Sequence, residues 1–387
     1  MCYGSMLFWR KSYTFSFFFI MTTGMVMAGG FVYGAYLESH KEVMLETLNM
    51  ILLAVNMFVQ LTSNQIHAHK LVNFFRAIDK GIYDYETLDK ETALEIQQGR
   101  DEMRETKKRF AYNWKILMVC CLTAITLKRP ATVLILGKGF RETDGANNLI
   151  WGAPVCVYMP FANYWVPYVI GWIMSTGYCC SIAIAGLGAS LMYVYITVEL
   201  IYEFEALKTI LCKSTRRAED LYSRRNGTTS MEDCLVECIK ESVKHHHILL
   251  REYQNFKDVE SVPLFMIIFD GGIVLGLSAY LIIGDGISLQ VKVAMVMLTS
   301  VEFSLAVLYA YYSQRIKDAC FSIGDGLYEA DWIEHSRKIK VHMNMIKAFC
   351  NTSNELTAAG FAPVNMETIL KILYAGYTYM GLVFTMW

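Results

Sequence analysis

Apolar runs long enough to cross a lipid bilayer alternate along this chain with charged stretches whose spacing is helical. A spanning helix needs about 20 apolar residues. Between Lys11 and Glu38 lie 26 uncharged residues, and between Glu46 and Lys70 another 23. These are read as spans one and two. The stretch from Lys70 to Phe110 then carries nine Lys/Arg and nine Asp/Glu. Its pattern, as in Leu94-Glu-Ile-Gln-Gln-Gly-Arg-Asp-Glu-Met-Arg, predicts a helix projecting into water. Span three is placed over about 112–136. Span four starts near Pro167, a residue suited to a first helical turn, and stays uncharged for 32 residues to Val198. That exceeds what a bilayer needs, so this helix is expected to project past the membrane. Spans five (262–283, with Asp270 inside), six (291–313, with Glu302 inside) and seven (364–387) complete the set. A second and a third polar segment fill 199–260 and 314–363. There is no internal repeat.

Composition agrees. The chain has 387 residues, 54% hydrophobic and only 18% charged, where soluble domains carry about a quarter. The expected fold class is all-α, a seven-transmembrane helical membrane protein. Net charge is -1, and no basic excess exists to neutralise phosphates, so no nucleic-acid partner is expected. Lys/Arg number two in the N-terminus and nine, ten and six in the three long polar segments, but six in all the short opposite loops. The positive-inside rule therefore puts the N-terminus in the cytoplasm and the C-terminus outside, the reverse of a G-protein-coupled receptor. The sequons at Asn226 and Asn351 would then face the cytoplasm and stay unmodified. Residues 13–36 are too long for a signal-peptide core and are kept as a span. The 11 cysteines read as reduced, small apolar residues.

Few residues carry candidate chemistry. Asp270 and Glu302 are carboxyls inside spans, costly and functional candidates by default. They could pair through a shared proton, or simply hydrogen-bond between helices. His245, His246 and His247 are consecutive, so on a helix they point about 100 degrees apart and cannot share one ion. They are expected to form a solvated helix face, with no metal site. No Ser/His/Asp set, P-loop or paired-carboxylate arrangement is present, so neither an enzyme nor a cofactor is expected.

The C-terminal fifth carries a specific resemblance. Gly326-Leu-Tyr-Glu-Ala-Asp-Trp332 resembles the G-x5-W signature that precedes the last span of insect odorant receptors, with Arg337-Lys338 at the usual interval. Ala359-Gly360-Phe-Ala-Pro-Val-Asn365 and the Thr378-Tyr379 pair are similar to the family's last-span pattern. His246-His-Ile-Leu-Leu resembles its H-x-x-L-L element, and the loop from Pro160 to Tyr168 its aromatic second outer loop. The chain lacks the large second inner-loop insertion of the family's co-receptor, so it looks like a tuning subunit. Gustatory receptors share the fold but usually end T-Y-x5-Q-F, absent here; a gustatory-type channel or a G-protein-coupled receptor stays the alternative.

The resemblance implies a multi-pass plasma-membrane protein of insect olfactory sensory neurons. It would bind a volatile odorant within the bundle and open a non-selective cation channel as a heterotetramer with the co-receptor. Residues 1–313 would hold the first six membrane helices, 314–363 a cytoplasmic anchor and 364–387 the pore-lining helix. Tyr328 and Trp332, four apart, are anchor candidates, with Ile339 and Met343 further along. Leu382, Thr385 and Met386 share one helix face and are gate candidates. The implied site lies between the outer halves of spans two, three, four and six. Candidates there are Met57, Phe58, Thr123, Thr126, Trp172, Ser175, Thr176, Glu302 and Phe303.

Overall fold

A computed structural model describes residues 22, 24, 41–127, 143–144, 149–150, 157–159, 161, 163–226, 228–284, 287, 289–330, 337–350 and 355–386. Span one and Trp332 lie outside them. The described residues form helices α1 (Lys41–Ile66), α2 (Ala68–Lys80), α3 (Lys90–Thr126), α4 (Trp165–Cys212), α5 (Ser214–Arg224), α6 (Met231–Ile283), α7 (Leu289–Glu329), α8 (Arg337–Cys350) and α9 (Met366–Met386).

Helix length follows from the solvent. Hydrocarbon offers no partner to a backbone N–H or C=O, so each must be satisfied within its own helix. Among the described residues α4, α6 and α7 are long and apolar enough to cross a membrane. At 53 residues α6 reaches about 80 Å, well beyond a hydrocarbon layer of roughly 30 Å. α4, with 48 residues, likewise runs past its apolar stretch, as its uncharged length predicts. α7 continues unbroken through residue 313 to Glu329. α6 starts on Ser230, whose hydroxyl accepts the Asp233 N–H at 3.1 Å. Glu232 and Asp233 in its first turn face the positive end of the helix dipole.

Two cores result. The larger fills the cytoplasmic half around Tyr193, Phe204, Leu235, Ile316 and Ile323. The smaller closes the outer end around Leu45, Ile150, Tyr168, Tyr178 and Met295. The outer core is capped by a short antiparallel sheet, β1 (Thr143–Asp144), β2 (Leu149–Ile150) and β3 (Val157–Tyr158). Ile150 is fully buried against Gly171, where an added Cβ would lie 2.5 Å from its Cδ1. A side chain at 171 would push the Ile150 δ-methyl out of its place. α6 and α9 cross just as closely: a Cβ on Gly276 would sit 2.8 Å from the Gly376 carbonyl oxygen. Such small-residue contacts are how helices pack where no hydrophobic drive exists.

The cytoplasmic halves are joined by charge. Along α3, Glu91, Glu95, Arg100 and Lys107 meet Arg216, Lys213, Glu203 and Glu199 in turn, an antiparallel ladder. Its outer rungs are exposed and contribute little. The Lys107–Glu199 rung is nearly buried, at 10% and 7% exposure, and the Lys107 ammonium also sits 3.7 Å over the Tyr195 ring. A second buried network docks the α2–α3 connector. Arg217, fully buried, donates to Thr87 and lies 3.4 Å from Glu241. Tyr85 meets His245 Nδ1 at 2.8 Å, and Glu203 lies 3.5 Å from its Nε2.

Two expectations need correction. His245 and His246 are 2% and 3% exposed, so only His247 belongs to a solvated face. The H-x-x-L-L element starts on a core residue, because residues 246 and 249 lie three apart on one helix face and Leu249 is also buried. Ile339 and Met343 are likewise buried, at 0% and 1%, and pack inside this subunit.

Two consequences are measurable. Glu199→Gln strands a buried ammonium and should cost about 3–5 kcal/mol of stability, whereas Lys107→Met with Glu199→Gln should recover most of it; thermal midpoints of the purified chain in detergent report both. Burial, with the neighbouring His245 and His247 adding to it, holds His246 down at about 4. Its folded form therefore takes up fewer protons than the unfolded chain between roughly pH 6.5 and 4. Stability is highest above that window and falls as pH drops through it, and His246→Gln should flatten that part of the profile.

Candidate functional site

Within the membrane-level half, α1, α3, α4 and α7 enclose a cavity of ≈ 80 Å³. Its walls are aliphatic and thioether: Met50 and Met57 from α1, Met118 from α3, Gly186 from α4 and Met297 from α7. One carboxyl, that of Glu302, enters it. Met50 and Met57 are seven apart, two turns along one face of α1. Gly186 faces Met57 across the cavity wall: a Cβ there would meet the Met57 Sδ at 3.5 Å, an ordinary contact. Two larger hollows of ≈ 460 Å³ open at the cytoplasmic end, one beside Tyr202 and Tyr311, the other beside Tyr83 and His246. Neither lies among the apolar spans, where the smaller cavity does.

The helices named from sequence are those that enclose the cavity, but most candidate side chains are not in its lining. Met57 and Glu302 line it. Thr123 is exposed and its hydroxyl returns to the Val119 carbonyl at 2.7 Å. Thr126 and Thr176 bond in the same way to Leu122 and Trp172, both at 2.9 Å. Ser175 is buried and Trp172 packs against the outer core. Phe58 is half-buried outside the lining, and Phe303 is exposed on the outer face of α7. Depth along a span is readable from hydropathy, but each residue turns the helix by about 100 degrees, and phase is set by the neighbours. Met50, Met118, Gly186 and Met297 are not among the sequence candidates; the Gly186-Leu-Gly188 pair inside an apolar helix is the signal the chain offers for Gly186.

Near the end of α9, Leu382 and Thr385 are exposed on the single chain, and the Thr385 hydroxyl donates to the Leu382 carbonyl at 2.8 Å. Met386 closes the helix. At the cytoplasmic end Tyr328 is 64% exposed and receives the Lys347 ammonium at 2.6 Å on its hydroxyl.

Long helices that cross a membrane around an apolar cavity define a helical membrane protein. A family described as 7tm odorant receptor matches residues 42–377, and the chain belongs to that family. Two Drosophila melanogaster proteins are similar to it. Odorant receptor 22b is 26% identical over 172 residues, 44% of this chain and 43% of that protein. Odorant receptor 85a is 22% identical over 246 residues, 61% and 56% respectively. The chain thus spans about half the length of these relatives. The olfactory receptor OR5 of the insect Machilis hrabei, solved in complex with eugenol, superposes with a TM-score of 0.75 at 14% identity, covering 95% of this chain and 88% of that one. Its structure described without a ligand gives 0.73. These are likenesses of fold.

Met57→Ala should widen the cavity and cost about 2–5 kcal/mol, read as a lowered thermal midpoint of the purified chain.

Proposed function

We propose that this chain is the odorant-sensing subunit of a cation channel, assembled as a tetramer with the family's co-receptor in the plasma membrane of olfactory sensory neurons. The observation that carries this reading is the apolar cavity with a single carboxyl, lined by four helices of a chain that belongs to the family. Its chemistry suits a small volatile ligand: thioether walls adapt to irregular shapes, and one polar group fixes orientation. At ≈ 80 Å³ it is smaller than the roughly 300–1,000 Å³ of drug-sized sites, so the ligand is small or the methionines move aside to admit it. OR5 of Machilis hrabei was solved with eugenol, a ligand of the size an expanded cavity of this kind would take.

In this reading α9 lines a pore shared by four subunits. Leu382 and Met386 are its apolar ring, which closes a channel by dewetting, and Thr385 is a polar ring between them. Tyr328 and Trp332 contribute to the cytoplasmic contact between subunits, and 314–363 acts as the anchor segment that precedes the pore helix at 364–387. The N-terminus is cytoplasmic and the C-terminus external.

The test is whole-cell current during an odorant panel, with and without the co-receptor and with G-protein signalling blocked. Fast cation current that needs both chains and survives the block is expected. Current that vanishes with the block would overturn the channel reading. Gly186→Phe fills the cavity and should raise the half-maximal odorant concentration at least ~10-fold, about 1.4 kcal/mol, while surface expression stays unchanged. An unaltered dose–response in Gly186→Phe would remove the cavity from the ligand site.

A further inference from the structure

Asn49, Asn56, Gln60 and Ser63 lie on one face of α1, and all four are buried. Three have partners that set the register of the neighbouring helices. Asn49 donates to Ser278 of α6 at 2.8 Å, and Ser63 to the Val259 carbonyl of α6 at 2.6 Å. α1 is thus antiparallel to α6, and Asn56, midway between these contacts, falls level with Asp270. Asn49 also reaches Met295 of α7 at 3.6 Å, and Gln60 donates to Tyr309 of α7 at 2.7 Å. α1 is thus parallel to α7, and Asn56 falls within half a turn of Glu302. Asp270 and Glu302 are within electrostatic range of each other.

The fourth member of this face is the one left without a partner. Asn56 is 3% exposed and its Oδ1 accepts nothing, and Asp270 is 3% exposed with its Oδ2 equally unmatched. Two carboxyls and a carboxamide oxygen therefore converge at mid-span on a junction of three helices. Two carboxyls in hydrocarbon either take up protons or are held ionised by a counter-charge. Among the described residues none comes from the basic side chains nearby: Lys371 of α9 is exposed and pairs with Glu367 at 2.9 Å. Lys292 lies at the outer end of α7 and Lys115 is exposed on α3.

We propose that Asn56, Asp270 and Glu302 form an intramembrane site for a monovalent cation, each supplying one oxygen. Hard oxygen donors of this kind suit a sodium-sized ion or an ammonium group, and one cation with one proton brings the pair to neutrality. The site has a place in the mechanism of the bundle. Glu302 lines the apolar cavity. On the other side, Gly271 and Gly272, which follow Asp270, pack against Ile372 and Ala375 of α9, with a glycine Cβ only 3.1 Å from the Ala375 Cβ. A cation here would bias how α6 sits on α9. The cation is either a free ion from solution or the ammonium head of a ligand in the cavity. The inference rests on the fold and not on the odorant reading.

The experiment is a thermal-midpoint series on the purified full-length chain in detergent, at constant ionic strength and pH 7. Replacing choline chloride by sodium chloride should raise the wild-type midpoint by about 2–4 °C. The rise should be absent in Asp270→Asn and in Glu302→Gln, isosteric changes that keep hydrogen-bonding capacity. A second arm compares n-octylamine with 1-octanol in choline chloride. A rise with the amine alone, lost in both variants, would support the site with a ligand's ammonium as its cation. Equal wild-type midpoints in sodium, choline, amine and alcohol would overturn the proposal, as would a rise that either variant retains.

Discussion

A backbone in hydrocarbon must satisfy its own polar groups, and the rest of this molecule follows from that constraint. It makes each crossing an unbroken helix, and an unbroken helix does not stop at the bilayer surface unless something stops it. α4, α6 and α7 therefore continue as rigid rods into the cytoplasmic half, where the larger core forms. α6 even carries Pro263 through its interior without ending.

Polar groups are distributed to match. In the cytoplasmic half two buried pairs join opposite charges: Lys107 with Glu199, Arg217 with Glu241. Breaking such a pair is more costly than never having it, because the survivor is left uncompensated. These contacts act as register marks, since Lys107 meets Glu199 only when α3 and α4 are aligned to within a turn. In the membrane half the register marks are neutral amides and hydroxyls, Asn49 with Ser278 and Gln60 with Tyr309. Asn56, Asp270 and Glu302 break that pattern, and they lie between the cavity and the helix that packs on Gly272 and Gly276.

Close approach is handled by glycine in three places with different consequences. Gly171 admits Ile150 and seals the outer core, Gly276 lets α6 touch α9, and Gly186 leaves space that Met57 borders. The first two are filled by a neighbour. The third leaves the cavity, so the same residue type supports packing at one site and a binding volume at another.

Much of the architecture was legible along the chain. The long apolar runs, the projecting fourth helix, the helical character of 90–110 and the side of the membrane favoured by Lys/Arg all depend on local composition, which hydropathy reads directly. The carboxyls Asp270 and Glu302 stood out for the same reason. Only the tertiary structure decided which way each side chain turns. Thr123, Thr176 and Phe303 sit at the right depth and face elsewhere, while Met118, Gly186 and Met297 face the cavity. Two of three consecutive histidines enter the core, because a helix presents a new face at each residue and its neighbours select among them. Depth is a property of a segment, whereas phase is a property of contacts between segments far apart in sequence, and a single chain of letters carries the first without the second.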